Sequence, residues 1–362
     1  MDNFAFVIHP IDPKRDATRK FPLLGKYLPV GAINFLSSYF PPLYISHITD
    51  ILSAANGKKI EGWFVACPFT PARMLQLPPR VVYDKIIQTG RMAQTLGAKI
   101  LGLGAFTSVI GDAGITVARN LDIPVTTGKS YTISVAVRAL RQAAQQLEVD
   151  LSRAAIAIVG ATGSIGQVCA QLLAADAPQM ILIGRRIEAL EQVRETVRER
   201  GGDQVSVTTD ITALRQADLI LTVTSALDTI ITPEHLKPGS IVLDVARPRD
   251  VSQRVVEERD DVLVIEGGMV SVPGPVNFAF DFGFPPGKAY ACMAEVMALA
   301  LEGRYESYTL GRQITIEQVE EIDRLATAHG FKVDGFRSFE RAVSDEQIEQ
   351  IKENARRKAN RI

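Results

Sequence analysis

Uninterrupted runs of Ile, Val, Leu, Ala and Phe recur through the chain. Between them lie stretches in which apolar residues return every three or four positions. In the first third, FAFVIHP, KIEGWFVACPF and AKILGLGAF predict strands. VVYDKIIQTGRMAQTLG has helical spacing, with Val82, Ile86, Ile87, Met92 and Leu96 on one side. VTTGKSYTISVAVRALRQAAQQLEVDL then predicts a long helix to about Gln146, capped by Thr126 or Thr127. IAIVGATGSIGQVCAQLLA reads as strand, glycine-rich turn and helix, and MILIGRR, VSVTTD, ADLILTVTS, SIVLDVA and VLVIEGG as further strands. Their apolar runs lack alternation, as in strands covered on both faces. KAYACMAEVMALALEG, ITIEQVEEIDRLATAHG and SDEQIEQIKENARRKANRI predict helices, the last charged and expected to be solvated or to contact another subunit.

This order predicts an α/β protein: a Rossmann-type doubly wound parallel sheet plus an N-terminal α/β domain and C-terminal helices. The expected divisions are an N-terminal substrate domain over 1–125, a connecting helix over 126–150, a nucleotide-binding Rossmann domain over 151–280 and a C-terminal helical region over 281–362. Residues 27–49 carry no Asp, Glu, Lys or Arg, which is long enough to cross a bilayer, but Pro29, Pro41, Pro42, Asn34, Ser37 and Ser38 interrupt them. Backbone groups freed by two adjacent prolines have no partners in lipid. Two readings remain: a loop and helix packed on the core, or an apolar entrance for a long-chain substrate that touches a membrane surface.

Composition narrows the classes. With 40 basic and 41 acidic residues the net charge is -1, which argues against a nucleic-acid partner. An apolar share of 46% suits a globular chain with a sizeable core rather than a disordered one. MDNFAFVIHP does not read as a secretory signal. Cys67, Cys169 and Cys292 are too scattered for a disulfide framework, so the expected compartment is the reducing cytoplasm. His9, His47, His235 and His329 show no metal-ligand spacing, so no metal site is expected, and no nucleophile-elbow serine motif is present.

Gly160, Gly163 and Gly166 stand between a strand and a helix, where glycine lets a pyrophosphate approach main-chain N–H groups at the helix N-terminus. Thr162 and Ser164 add hydroxyls, and Ile165 completes the turn. The next strand ends in Gly184, Arg185 and Arg186 with no carboxylate for a ribose 2′-hydroxyl; two guanidiniums suit a 2′-phosphate, so NADP(H) is expected over NAD. Thr224 and Ser225 after ADLILTV, and Gly267 and Gly268 after VLVIE, are further candidates to line the nicotinamide side. Cys292 in PPGKAYACMAE is the candidate nucleophile. The helix is expected to start near Lys288, with the thiol about one turn inside, where the helix field and Lys288 favour thiolate. Such a thiolate exchanges one thioester for another. Lys288 or Tyr290 would tune the thiol or carry a proton. Structural packing is the competing role for Cys292, and the expected one for Cys169.

Several stretches resemble the long-chain acyl-[acyl-carrier-protein] reductases. They are Gly104, Ala105, Phe106, Thr107 and Ser108; Thr126, Thr127 and Gly128 with Thr132; and Val159 to Gly163 with Ile165 and Gly166. Gly267, Gly268 and Val270; Ala291, Cys292, Ala294 and Glu295; and Gly311, Arg312 and Ile314 to Glu317 follow in the same order. The resemblance implies NADPH-dependent reduction of a fatty acyl thioester to an aldehyde through an acyl-Cys292. The acyl donor would be acyl carrier protein or coenzyme A, and an aldehyde-consuming enzyme a further partner. Ser108 and Thr127 are candidate oxyanion donors, with capping and turn roles as alternatives. The first sixty residues, Lys129, residues 271–287 and the tail after Phe336 depart from the family pattern. Two rivals stand: an NADP-dependent alcohol or amino-acid (shikimate-type) dehydrogenase using Lys129 without a covalent step, and a non-enzymatic NADPH-binding module.

Overall fold

The computed structural model describes residues 2 to 359 apart from Asp203 and Gly268. Two compact units are present, one of Met1–Tyr131 with Val270–Lys332, the other of Thr132–Met269 with Val333–Ile362.

In the first unit, β1 (Asn3–Ile8), β2 (Leu43–Leu52), β3 (Lys59–Ala66), β4 (Leu101–Leu103) and β5 (Val125–Thr126) form a sheet of order β2-β3-β1-β4-β5. All neighbours run parallel except the edge strand β2, which is antiparallel to β3. The Pro79–Thr95 helix lays Val82, Ile86, Ile87 and Ala93 into a core with Val7, Val65, Leu101 and Leu103. The Ala291–Glu302 helix also packs on β1 and β4. It is apolar nearly all round because residues 293–301 are all buried. Gly102 permits the approach: a Cβ there would fall 2.5 Å from Phe6 and 3.0 Å from Val296.

The three strands expected here form; β2 was missed, and so was β5, whose Thr126 was expected to cap the helix that starts only at Lys129. Pro41 and Pro42 end the apolar helical stretch, and LYISHITDIL then pairs along β3 with two register shifts. Residues 27–49 are thus neither one loop nor one helix, but the end of one short helix, another (Val30–Ser37) and most of an edge strand. Among the described residues, no helix is long and apolar enough to cross a membrane.

The second unit holds β6 (Ala155–Val159), β7 (Gln179–Ile183), β8 (Gln204–Thr208), β9 (Leu219–Thr222), β10 (Ile241–Asp244) and β11 (Leu263–Glu266). Their order is β11-β10-β9-β6-β7-β8, all parallel, with the chain reversing direction across the sheet at β6. This is the doubly wound α/β arrangement, and the switch point lies between β6 and β9.

The chain after residue 280 does not form one helical region. Residues 270–332 belong to the first unit and 333 onward to the second. The apolar Ala291–Glu302 helix can be buried only against a sheet, and it takes the first. The Asp345–Ala359 helix is neither simply solvated nor an unpartnered tail: Ile348, Lys352 and Asn354 are buried. Lys352 Nζ donates to Glu148 Oε1 (2.5 Å), Lys358 pairs with Asp260 and Asp261, and Asn354 Nδ2 donates to the Asp260 carbonyl (3.0 Å). Ile348→Ala is therefore expected to destabilise the second unit by about 2–4 kcal/mol, read as a lowered urea midpoint, where a solvated helix would show almost no change.

Candidate functional site

In the second unit, β6 runs into the glycine turn. Gly160 takes φ +80°, and a Cβ there would meet the Val223 carbonyl at 2.7 Å. Gly166 packs so closely under the turn that a Cβ would lie 2.3 Å from the Gly160 oxygen. Gly163 caps the Ser164–Leu172 helix without a side-chain acceptor, so the N–H groups of Ser164, Ile165 and Gly166 have no cap. Thr162 sits half-exposed in the same turn. Beyond β7, Arg185 and Arg186 are exposed, and neither side chain has an ion-pair or hydrogen-bond partner among the described residues. Uncapped amides, a cradle free of Cβ atoms and two uncommitted guanidiniums fit an NADP(H) pyrophosphate and 2′-phosphate.

The other expected cofactor residues divide. Thr224 turns its hydroxyl inward to Asp250 Oδ1 (2.5 Å), and its N–H donates to Oδ2 (2.9 Å), as does Thr222 Oγ1 (2.5 Å). The Thr224 side chain therefore builds the exit of β9, and Asp250 was missed as its anchor. Ser225 is exposed. Gly267 is needed for packing, since a Cβ would come 2.6 Å from Val245. Gly268 lies outside the described residues.

In the first unit, Lys288–Tyr290 is a strand, and the helix starts at Ala291 with Tyr290 as N-cap. Cys292 is thus the second helical residue rather than one turn inside. Lys288 does not favour a thiolate: its Nζ donates to Ser271 Oγ at 2.6 Å. Tyr290 packs its ring against Phe284 (4.2 Å between centroids), at the end of a run through Phe282, Phe278 and Phe64. Gly128, at φ +72°, lies directly over the cysteine, and a Cβ there would be 2.4 Å from Cys292 Cα. Burial pushes the Cys292 thiol up to about 12, and Glu295 adds to the rise. The N–H groups of Met293, Cys292 and Ala105 pull the other way without prevailing. The expected thiolate is therefore a thiol at rest, because desolvation outweighs the field of the helix end. Cys67 and Cys169 are fully buried, their thiols likewise pushed up to about 12.

The expected oxyanion hydroxyls are committed elsewhere. Ser108 Oγ donates to the Ala105 carbonyl (2.6 Å), closing its own turn, and Thr127 Oγ1 to the Thr309 carbonyl (2.9 Å), tying together two segments far apart in the chain. The group aimed at the sulfur from the Ala105–Ser108 turn is instead the backbone N–H of Ala105, a non-glycine residue held at φ +45°. Two side chains overlooked in the sequence hold this arrangement. Glu295 is fully buried and accepts from Thr126 Oγ1 (2.5 Å), Thr309 Oγ1 (2.9 Å) and the Tyr131 N–H (2.9 Å), and burial raises its carboxyl above the ordinary range. Its three-residue spacing from Cys292 on one helix was the available signal. His9 Nε2 accepts the Phe106 N–H (2.9 Å), so Nδ1, beside the Pro10 carbonyl (3.2 Å), carries the ring proton. Lys129 is buried, donates to the Gly311 carbonyl (3.2 Å) and is pushed down to about 8 by burial, with Arg312 contributing.

Burial pushes His9 down to about 4 from 6.5. Between those values the unfolded chain binds a proton that the folded one refuses, so stability falls as pH drops from 6.5 toward 4. The full window corresponds to about 3 kcal/mol. His9→Gln keeps an acceptor for Phe106 and is expected to lose this part of the slope, measured as wild type minus variant in urea unfolding from pH 7 to 4.

Residues 141–266 match the shikimate/quinate 5-dehydrogenase family. The aminotransferase PigE of a Serratia species is 31% identical over 308 residues, 83% of this chain; the chain spans only 36% of that protein. The long-chain acyl-[acyl-carrier-protein] reductase of Synechococcus elongatus is 30% identical over 337 residues, covering 89% of this chain and 95% of that protein. Among solved structures, the L-tryptophan dehydrogenase of Nostoc punctiforme aligns over 99% of this chain and 89% of its own, with 13% identity and a TM-score of 0.41.

Proposed function

This chain belongs to the family of the long-chain acyl-[acyl-carrier-protein] reductases, and we propose that it reduces a fatty acyl thioester to an aldehyde through an acyl group held on Cys292. It is an oxidoreductase with a Rossmann-type unit, and its cofactor is NADP(H). The observation that carries the reading is the crowding of Gly128, the Ala105 N–H and Glu295 around one cysteine at a helix start.

In this reading Cys292 Sγ forms a bond to the thioester carbonyl carbon. The bond from that carbon to the carrier sulfur breaks, and the thiol proton leaves with the carrier thiol. The Ala105 N–H, with the uncapped amides of the helix start, faces the charge that develops at the sulfur and the carbonyl oxygen. Glu295 holds the Thr126–Gly128 turn over the cysteine, so it acts as a positioning residue. His9 does the same for the Ala105 turn. The aromatic run from Phe64 to Tyr290 offers an apolar wall for a fatty chain. In the second unit, the amides of Ser164 to Gly166 would hold the pyrophosphate, and Arg185 and Arg186 the 2′-phosphate. Bound NADPH would supply the hydride that breaks the acyl–Sγ bond, so that the acyl group would leave as aldehyde and the thiolate would take a proton from water to restore the thiol.

The proposed acyl donor is acyl carrier protein or coenzyme A. An aldehyde is a reactive product and an amine acceptor, and one longer relative is named an aminotransferase. An enzyme that consumes the aldehyde is therefore the proposed partner. One observation favours a second reading, a dehydrogenase without a covalent step: Lys129 is buried with its ammonium pushed down to about 8, in the range of an acid–base group.

Intact-mass measurement after mixing with acyl-CoA is expected to show an acyl adduct that Cys292→Ala lacks, with NADPH oxidation on the thioester falling at least about 100-fold. A harmless Cys292→Ala together with an inactive Lys129→Ala would favour the second reading. Arg185→Ala with Arg186→Ala is expected to raise the Kd for NADPH about 10- to 100-fold and leave that for NADH nearly unchanged, checked by fluorescence titration.

A further inference from the structure

The segment from Pro13 to Tyr44 is built the wrong way round for a helix pair lying on a core. Its polar groups point into the first unit. Thr70 Oγ1 donates to Asn34 Oδ1 (2.8 Å), Arg73 Nε to Ser38 Oγ (2.7 Å) and Lys85 Nζ to the Phe40 carbonyl (3.0 Å), while Ser37 is buried. Its apolar groups point out. Among the described residues, fourteen large apolar side chains stand exposed, and seven of them fall between Leu23 and Tyr44. Leu23, Tyr27 and Tyr39 are each more than 70% exposed, and Phe35 touches Tyr39 (5.4 Å between ring centroids) without covering it. A surface of this kind normally meets an apolar partner.

The charge around it says which. The sequence from residue 17 to residue 49 contains no Asp or Glu, yet Arg19, Lys20 and Lys26 lie in it and Lys14 and Arg15 precede it, in a chain whose net charge is -1. The two nearby acids are committed. Asp12 accepts the N–H groups of Lys14 and Arg15, and Asp16 accepts those of Ile11 and Asp12 and pairs with Arg19. Lys14, Arg15 and Lys26, together with Asp12, line an open groove between the Pro13–Lys20 and Pro22–Tyr27 helices, which Gly25 brings into close contact at Thr18. Apolar side chains that project, tyrosines among them, beside a groove with three cations to one acid match the acyl boundary and headgroup layer of an anionic bilayer. We propose that residues 13–44 dock this protein on an anionic lipid surface, lying on it rather than crossing it.

The test is flotation of the full chain with phosphatidylglycerol–phosphatidylcholine vesicles, against phosphatidylcholine alone. The wild type is expected to float with the anionic vesicles and to be released by salt. Phe35→Ser with Tyr39→Ser is expected to lower the partition coefficient about tenfold or more. Lys14→Glu with Lys26→Glu is expected to remove the preference for the anionic vesicles. Far-UV circular dichroism and Tm should match wild type in both, which sets aside misfolding. The proposal is overturned if wild type does not float, or if both double variants float as wild type does. It is equally overturned if light scattering shows that Phe35→Ser with Tyr39→Ser splits a dimer, or if purified acyl carrier protein binds this surface while vesicles do not. None of these readouts depends on thioester turnover, so failure of the proposed reaction leaves the test intact.

Discussion

A carboxyl group with no access to water organises the first unit. Burying Glu295 would cost several kcal/mol if it were left unpaired. It is instead met by Thr126 at the end of β5, by the Tyr131 N–H in the Lys129–Gln146 helix, and by Thr309. These donors come from two stretches far apart in the chain, 126–131 and Thr309, and converge on the helix that carries Cys292. The same helix has no polar face to offer water, so its position against β1 and β4 is fixed from two sides, by apolar packing and by one acid. Gly128 follows from this. A turn pulled that close to Cys292 leaves no room for a Cβ.

Two opposing effects meet at the cysteine, and their sizes decide its state. A helix N-terminus contributes about 0.3–1 kcal/mol toward a negative charge at an exposed site and rarely more than about 2. Burial of a thiolate works against it, and here burial wins, since the thiol is pushed up from 9.0 to about 12. Cys292 is therefore a thiol in the empty protein, and in the proposed reaction it would lose its proton only on contact with the thioester.

How far the sequence could be read follows from the same physics. The six strands of the second unit announce themselves because both faces are covered, so their apolar runs are unbroken. The glycine turn is legible for a similar reason, since backbone geometry is written in residue type. The ionisation of Cys292 could not be read, because the groups around its sulfur include Ala105 and Gly128, far away in sequence. The hydroxyls of Ser108, Thr127 and Thr224 looked free as residues. Ser108 is taken by a carbonyl of its own turn, and Thr127 and Thr224 by a carbonyl and a carboxylate that only the fold brings near. His9 and Glu295 were given no role because neither a lone His beside Pro nor a Glu three residues from a cysteine on an apolar helix says which groups will bury it. The destination of the chain after residue 280 was hidden too: nothing local in KAYACMAEVMALALEG says which sheet it will cover.

Hydrophobic patterning misled most where it was strongest, at residues 27–49, and the reason is instructive. Patterning assumes that apolar side chains face the protein and polar ones face water. In the Val30–Ser37 helix, Asn34 and Ser37 are turned to the body while Val30, Phe35 and Leu36 are exposed. Each exposed side chain forgoes about 1.5–3 kcal/mol of burial. The chain nevertheless holds the arrangement with inward hydrogen bonds from Thr70, Arg73 and Lys85. A segment that only needed to be stable could turn its apolar face onto the core and leave its polar groups to water. Retaining the opposite arrangement makes sense when the surroundings of the outer face are not simply water. That condition also suits a protein whose proposed cargo is itself poorly soluble.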